Sequence, residues 1–242
     1  MSTDNQLDQH VIQADGTWQC WWLSLLEIAR ITGKLNPLFD TPGGHFYDYW
    51  NPPTGPRAVP GEGEVPTSIV YKGEPNPVDQ VPNPERWVYG PVWQRKIMYY
   101  LLDRDNERPW SKPSASSIKA VRITALNTLL GYLGLTGITF GTPWSSNSFK
   151  LKDEFNALLR GQNVLTDRSN AASGSGHSMS GIVGPQDGSG SPGESIHVYN
   201  QSRSRQEFVD FNLQQDSNEP KKYTLVNKSG ETLSWFVAVN TA

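Results

Sequence analysis

The thiol of Cys20 and the imidazole of His177 are the two side chains of this chain that could support nucleophilic chemistry. Cys20 is the only cysteine among its 242 residues, and His177 is one of four histidines. A thiol attacks weakly at neutral pH until its pKa falls, and the N-terminus of a helix or an adjacent imidazole lowers that pKa. The segment WQCWWLSLLEIARIT predicts a helix whose first turn contains Cys20, with Thr17 or Asp15 as candidate N-cap and Gly33 at its end. Cys20 is therefore the candidate nucleophile.

His177 is the candidate base because of where it stands in the chain. It lies in GSGHSMSGIVG, where a Gly/Ser-rich loop leads into a predicted β-strand. Asn200 ends the next predicted strand, ESIHVYNQ, so a hairpin would bring its amide beside the imidazole and orient it. Asn200 could instead cap a strand or turn, with Asp210 and Asp187 as less favoured orienting residues. The order of Cys20, His177 and Asn200 is that of a Cys-His-Asn site.

Several of these residues also have a purely structural explanation. Taken alone, Cys20 is better explained as a small buried helix residue, since free cysteines are among the most buried residue types. By the period of two in a strand, His197 is expected to face away from a site that Asn200 faces. His10 is expected to be solvated, and His45 lies in a Pro/Gly-rich loop. His177 and its neighbours shift the interpretation towards catalysis.

Helical segments precede β-prone segments along the chain. Helices are predicted at 18–32, 92–103, 116–133 and 149–159, and short β-prone runs fill the C-terminal third. A Pro/Gly- and aromatic-rich insertion is predicted at about 35–90, within a single domain spanning 1–242 and beside the site. The expected fold class is α+β, in which an N-terminal helical half bearing Cys20 packs on a C-terminal antiparallel sheet or half-barrel.

The same motifs, in this order, resemble the papain-like superfamily of cysteine peptidases. The resemblance rests on Gln13, the Cys20-Trp21 pair that opens a helix, LKDEFNALLRGQNVLTD, GHSMSGIVG and VYNQ. It is greatest to compact bacterial branches, which include bacteriocin-leader-processing peptidases and plant-pathogen effector proteases. It covers about 20 residues at the start and about 50 near the end, while roughly 35–110 resembles no family. The resemblance implies a papain-like fold with the site in a cleft.

The resemblance also implies a role for each site residue. Cys20 would be the nucleophile, His177 its base and Asn200 the residue that orients the base. Gln13 would donate its side-chain amide to the oxyanion, with the backbone N–H of Cys20 as second donor. The separation of Gln13 from Cys20 is one residue longer than in papain's own pattern, so Gln19 is the alternative donor. No cofactor or metal ion is expected.

Composition restricts the expected partners and location. The net charge of −3, with no basic cluster beyond Arg203/Arg205 and Lys221/Lys222, disfavours nucleic acid and anionic membranes as partners. A single cysteine excludes an internal disulfide framework and a cysteine-rich zinc site, and no HExxH-type spacing supports another metal site. The N-terminal MSTDNQLDQHVIQ lacks a signal-peptide pattern, so a cytoplasmic location is expected, with signal-independent export left open.

The expected function is cysteine-dependent hydrolysis of amide bonds in a protein or peptide substrate, as in a bacterial effector or toxin. An immunity protein or a host target protein would be a further partner. Three alternatives stay open. A glutamine deamidase or acyltransferase would use the same thioester chemistry, and an inactive papain-like module would bind a partner or glycan through its aromatic residues. An amidase acting on peptidoglycan cross-peptides would require export.

Overall fold

The structure is a computed structural model that describes residues 7–14, 19–64, 88–104, 120–145, 151–169, 176–184 and 194–242. The chain divides into two compact units, one formed by Met1–Thr136 with Ser202–Ser204 and the other by Gly137–Gln201 with Arg205–Ala242. Within the described ranges, no helix has the length and apolar character needed to cross a membrane.

The first unit is helical and centres on the helix that carries Cys20. Its helices are α1 (Cys20–Ile31), α2 (Asn36–Asp40), α3 (His45–Trp50), α4 (Val92–Arg104) and α5 (Ala120–Leu133). Every residue of α1 from Cys20 to Ala29 is buried. A helix that is apolar on nearly all sides must be enclosed by other elements, so α1 is the core helix of this unit. It ends at Ile31, and Gly33, the predicted stop, reverses the chain with a φ of 72°.

Part of the predicted insertion contributes to this helical core. Its residues form α2 and α3, and Tyr49 of α3 packs edge-to-face against Tyr100 of α4 with ring centroids 5.2 Å apart. Trp50 packs against Tyr99 in the same way. Residues 65–87 of the predicted insertion lie outside the described residues. The aromatic residues of this segment therefore serve packing in the helical unit.

The second unit is built from strands. Its elements are β1 (Ile138–Phe140), β2 (Trp144–Ser145), α6 (Leu151–Asn156), β3 (Asn163–Ser169), β4 (Gly176–Val183), β5 (Ser195–Asn200), β6 (Glu207–Gln215), β7 (Tyr223–Val226) and β8 (Thr232–Thr241). Each strand from β3 to β8 pairs antiparallel with the next, and β8 also pairs with β3, which closes a barrel. Alternate residues of these strands, such as Met179, Val198 and Phe211, form its apolar core with Phe155 of α6.

The predicted fold class is wrong. The strands form a closed antiparallel barrel with its own apolar core, whereas a papain-like α+β fold requires a sheet on which the Cys20 helix packs. The strands themselves agree with the β-prone runs, because alternation is a local signal. Closure depends on the pairing of β3 with β8, which are distant in sequence, as in the pair of Asn163 with Val239, and alternation does not specify such pairs.

Candidate active site

The structure joins two of the predicted site residues, His177 and Asn200. The Nε2 atom of His177 lies 2.9 Å from Oδ1 of Asn200. His177 is near the start of β4 and Asn200 is the last residue of β5. By the period of two, His177 shares its strand face with Met179, and Asn200 shares its face with Val198, both of which lie in the barrel core. His177 and Asn200 therefore also face the barrel interior, and they lie next to the last apolar residues of its core.

This contact determines which ring nitrogen of His177 carries the proton. An amide Oδ1 only accepts hydrogen bonds, so His177 donates from Nε2 to Asn200. The neutral imidazole then keeps its lone pair on Nδ1, where a general base needs it. Asn200 is almost completely buried, which protects the bond from competition with water.

Burial keeps this imidazole neutral at pH 7. Loss of hydration lowers the pKa of His177 below its ordinary value, and the positive charge of Arg168 lowers it further. The hydrogen bond with Asn200 and the negative charge of Asp167 act in the opposite direction. Arg168 lies directly opposite His177 in the β3–β4 ladder. The neutral form that a base requires therefore predominates.

The lowered pKa predicts how stability depends on pH. Because the folded pKa of His177 lies below the unfolded value of about 6.5, the unfolded chain binds the proton first as pH falls. The stability linked to His177 is complete above that value and is lost as pH falls through the folded pKa. We expect the melting temperature of the wild type to fall more steeply than that of His177→Gln across this window. The partly exposed His197→Gln serves as control, and equal slopes for wild type and His177→Gln would contradict the prediction.

Buried polar neighbours that the sequence analysis missed surround the pair. Gln201 donates from Nε2 to the carbonyl of Ser178 at 2.8 Å, and Ser178 Oγ donates to Asp167 Oδ1 at 2.6 Å. All three side chains are buried. These bonds tie β3, β4 and the end of β5 together where His177 and Asn200 lie. No local sequence signal marks them, because β3 carries other polar residues, such as Thr166 and Arg168.

Cys20 lies in the first turn of α1, as predicted, and its side chain is largely buried. The carbonyl of Gln19 accepts from the backbone N–H groups of Trp22 and Leu23 at 3.2 and 3.1 Å, which closes the first turn. The partial positive charge of a helix N-terminus therefore lies beside the thiol. The candidate N-caps Thr17 and Asp15 lie outside the described residues.

Backbone contacts hold Gln13 in place within the helical unit. Gln94 accepts from Ile12 N at 2.8 Å and donates to Ile12 O at 2.7 Å, and the carbonyl of Gln13 accepts from Arg203 N at 2.9 Å.

The alternative donor, Gln19, is also buried, and its Nε2 has no hydrogen-bond partner among the described residues. Both glutamines therefore remain candidates for the oxyanion donor. They belong to the same unit as Cys20, whereas His177 and Asn200 belong to the other.

The other three histidines lie outside the pair formed by His177 and Asn200. His197 contacts Asp210 at 2.7 Å on the strand face opposite Asn200, as the period of two predicts. Asp210, one of the two less favoured orienting residues, therefore contacts His197. His10 was expected to be solvated, but its Nδ1 contacts the Glu27 carboxylate at 2.7 Å. His45 begins α3. Asp187, the other less favoured orienting residue, lies outside the described residues.

No metal cluster emerges from the parts of the chain that the structure describes, and several tryptophans there are buried. In those parts, no group of three or more His, Cys, Asp and Glu side chains is placed to hold a metal ion. Five tryptophans are buried in the cores of the two units: Trp21, Trp22, Trp50, Trp93 and Trp235. These rings therefore contribute packing rather than a surface for a glycan.

Comparison with known proteins identifies no relative of this chain. A scan against models of protein families, a search of curated proteins and a search of solved structures each gave no match. Membership of the papain-like superfamily therefore stays a prediction. The roles of the candidate residues have to be argued from the chemistry and geometry of this chain.

Proposed function

We propose that this protein is a cysteine-dependent hydrolase that cleaves amide bonds of a protein or peptide. Cys20 is the nucleophile, His177 the general base and Asn200 the residue that orients the base. The hydrogen bond between His177 and Asn200 supports this proposal best, because it leaves Nδ1 unprotonated. Burial of an imidazole is unfavourable for its charged form, and perturbed titratable groups concentrate at functional sites.

The proposed reaction proceeds through a thioester. His177 Nδ1 takes the thiol proton of Cys20, and the sulfur forms a bond to the amide carbonyl carbon. As the tetrahedral intermediate collapses, the C–N bond breaks and His177 returns the proton to the leaving amine. Water, deprotonated by His177, then attacks the thioester and releases the acid and the free thiol. The backbone N–H of Cys20 and the amide of Gln13 or Gln19 would stabilise the oxyanion.

The proposal requires the reactivity of Cys20 to depend on His177, and iodoacetamide alkylation tests this directly. Because Cys20 is the only thiol, the single adduct in an intact mass spectrum reports it alone. We expect the wild-type rate to reach its plateau well below a pH of about 8, and we expect His177→Ala to restore an ordinary thiol profile. The midpoint of the profile is compared rather than the absolute rate, since the side chain is largely buried.

A matched control separates the role of His177 from a general effect of removing a histidine from the barrel. His197 lies on the neighbouring strand and contacts Asp210 on the other face. His197→Ala is therefore expected to keep the wild-type alkylation profile. Identical profiles for wild type and His177→Ala would refute the catalytic proposal, because the thiol would then be independent of the imidazole.

A further inference from the structure

The turn between β7 and β8 fixes the side chain of Glu231. Oδ1 of Asn227 accepts from the backbone N–H groups of Ser229 and Glu231 at 3.0 and 2.9 Å. Nδ2 of Asn227 donates to Oε2 of Glu231 at 2.7 Å. Gly230 adopts a φ of 78°, which a residue with a side chain rarely takes. The turn therefore occupies one carboxylate oxygen of Glu231 and holds the group in a defined place.

The other carboxylate oxygen of Glu231 contacts two arginines. Oε1 lies 3.0 Å from Nη1 of Arg168 and 3.2 Å from Nη1 of Arg205. The side chains of Arg168 and Glu231 are 18% and 24% exposed, so water screens this pair less than a surface pair. Burial tends to raise the pKa of Glu231, but Asn227 and the two arginines together hold it below its ordinary value. Glu231 therefore stays ionised and balances Arg168.

Arg168 is also the cation that faces His177 across the β3–β4 ladder. The two residues are directly opposite in register, and both lie on the inward face by the period of two. The other charged neighbour on β3 is Asp167, whose charge favours the imidazolium, while Asn200 contacts the ring from β5. Arg205, which follows β5, is the more exposed arginine and also contacts Glu207 at 2.5 Å. Glu231 is therefore the partner that neutralises the cation opposite the base.

We propose that Glu231 is a positioning residue for the base: by neutralising Arg168, it allows His177 to accept a proton during the reaction. Its catalytic importance rests on the proposed function. Without Glu231, the charge of Arg168 would repel the imidazolium that forms when His177 deprotonates the thiol. With Glu231 in place, the ion pair presents little net charge to the ring.

An NMR titration of the His177 ring protons tests this proposal in the full-length chain, with the resonance assigned by its loss in His177→Gln. Glu231→Gln is expected to shift the His177 pKa downward from the wild-type value, and Arg168→Gln is expected to shift it upward. The double variant, which lacks both charges, should return close to the wild type. Glu219→Gln makes the same chemical change at an exposed ion pair of the same unit and should leave the titration unchanged.

The opposite signs of the two shifts separate charge from structural damage. Loosening of the barrel would rehydrate His177 and raise its pKa in every variant. An unchanged or raised His177 pKa in Glu231→Gln would therefore overturn the proposal. If Glu231→Gln fails to fold, Arg168→Gln decides: an upward shift with wild-type melting behaviour supports the proposal, and any other result overturns it. The titration is repeated in Cys20→Ser, where the same shifts are expected because the charges of Arg168 and Glu231 do not depend on the thiol. Its outcome is therefore distinguishable from that of the alkylation test of the proposed function.

Discussion

Replacing Cys20 by serine is expected to lower the rate of amide hydrolysis by roughly 10⁴-fold or more, because a hydroxyl is a far weaker nucleophile than a thiolate in a site built for sulfur. The two side chains differ by one atom. The first turn of α1, including the hydrogen bond of 2.5 Å from Ser24 Oγ to the carbonyl of residue 20, should therefore remain. Loss of activity in a variant that melts like the wild type would assign the chemistry to the sulfur.

The measurement is a comparison of newly formed protein N-termini in a cell extract treated with wild type or with Cys20→Ser. Wild type should generate new N-termini that Cys20→Ser does not, and His197→Gln should behave as wild type. Equal cleavage by both proteins would contradict the role of Cys20. Conversion of glutamine to glutamate that requires Cys20, without new N-termini, would show that the thioester chemistry acts on a side chain. Absence of both changes would favour the inactive binding module.

Replacing Glu27 by glutamine is expected to lower the free energy of unfolding of the helical unit by roughly 3 to 5 kcal/mol, the usual effect of leaving one charge of a buried pair without its partner. The side chains of Glu27 and Arg30 are only 3% and 8% exposed and lie 2.5 Å apart. Glu27 Oε2 also accepts from Val11 N at 3.0 Å, and Arg30 donates to the carbonyl of Leu7 at 2.9 Å. The change would therefore also loosen residues 7–13, which include Gln13.

Denaturant unfolding followed by tryptophan fluorescence measures this loss, and Trp21 and Trp22 on α1 are among the chain's nine tryptophans. Glu219→Gln is the matched control. Glu219 and Lys222 are also three residues apart, but their side chains are 49% and 31% exposed, so a change of less than about 0.5 kcal/mol is expected. A comparably small loss for Glu27→Gln would show that Arg30 reaches water once its partner is removed. The apolar double variant Glu27→Met with Arg30→Leu should recover much of the loss.

The features that could be predicted from the sequence are those that arise from neighbours along the chain. The helix predicted over 18–32, with Gly33 as its stop, corresponds to α1 (Cys20–Ile31) and follows from apolar spacing and glycine geometry. The strand positions follow from alternation. His177 and Asn200 are joined by one hairpin, so their contact at 2.9 Å was open to prediction as well. Their catalytic roles, together with those of Cys20 and Gln13, stay predictions.

The features that could not be predicted depend on partners far apart in the sequence. Glu27 and His10 are 17 residues apart, and Arg168 and Glu231 are 63 residues apart. No local pattern marks such residues, because any acidic and basic residue could pair until the fold selects the partners. The same holds for the polar neighbours Asp167 and Ser178, which are ordinary strand residues, and for Gln201, which follows β5; only the packed barrel buries them.

The sequence by itself determined the longer helices, the β-prone runs of the C-terminal third, the single thiol and the hairpin that pairs His177 with Asn200. Only the tertiary structure decided that β3 to β8 close into a barrel and that Glu231 neutralises the arginine opposite His177. The physical reason is that helix and strand periodicity follow from residues a few positions apart. Barrel closure and charge balance depend instead on burial, which arises only when distant segments pack together.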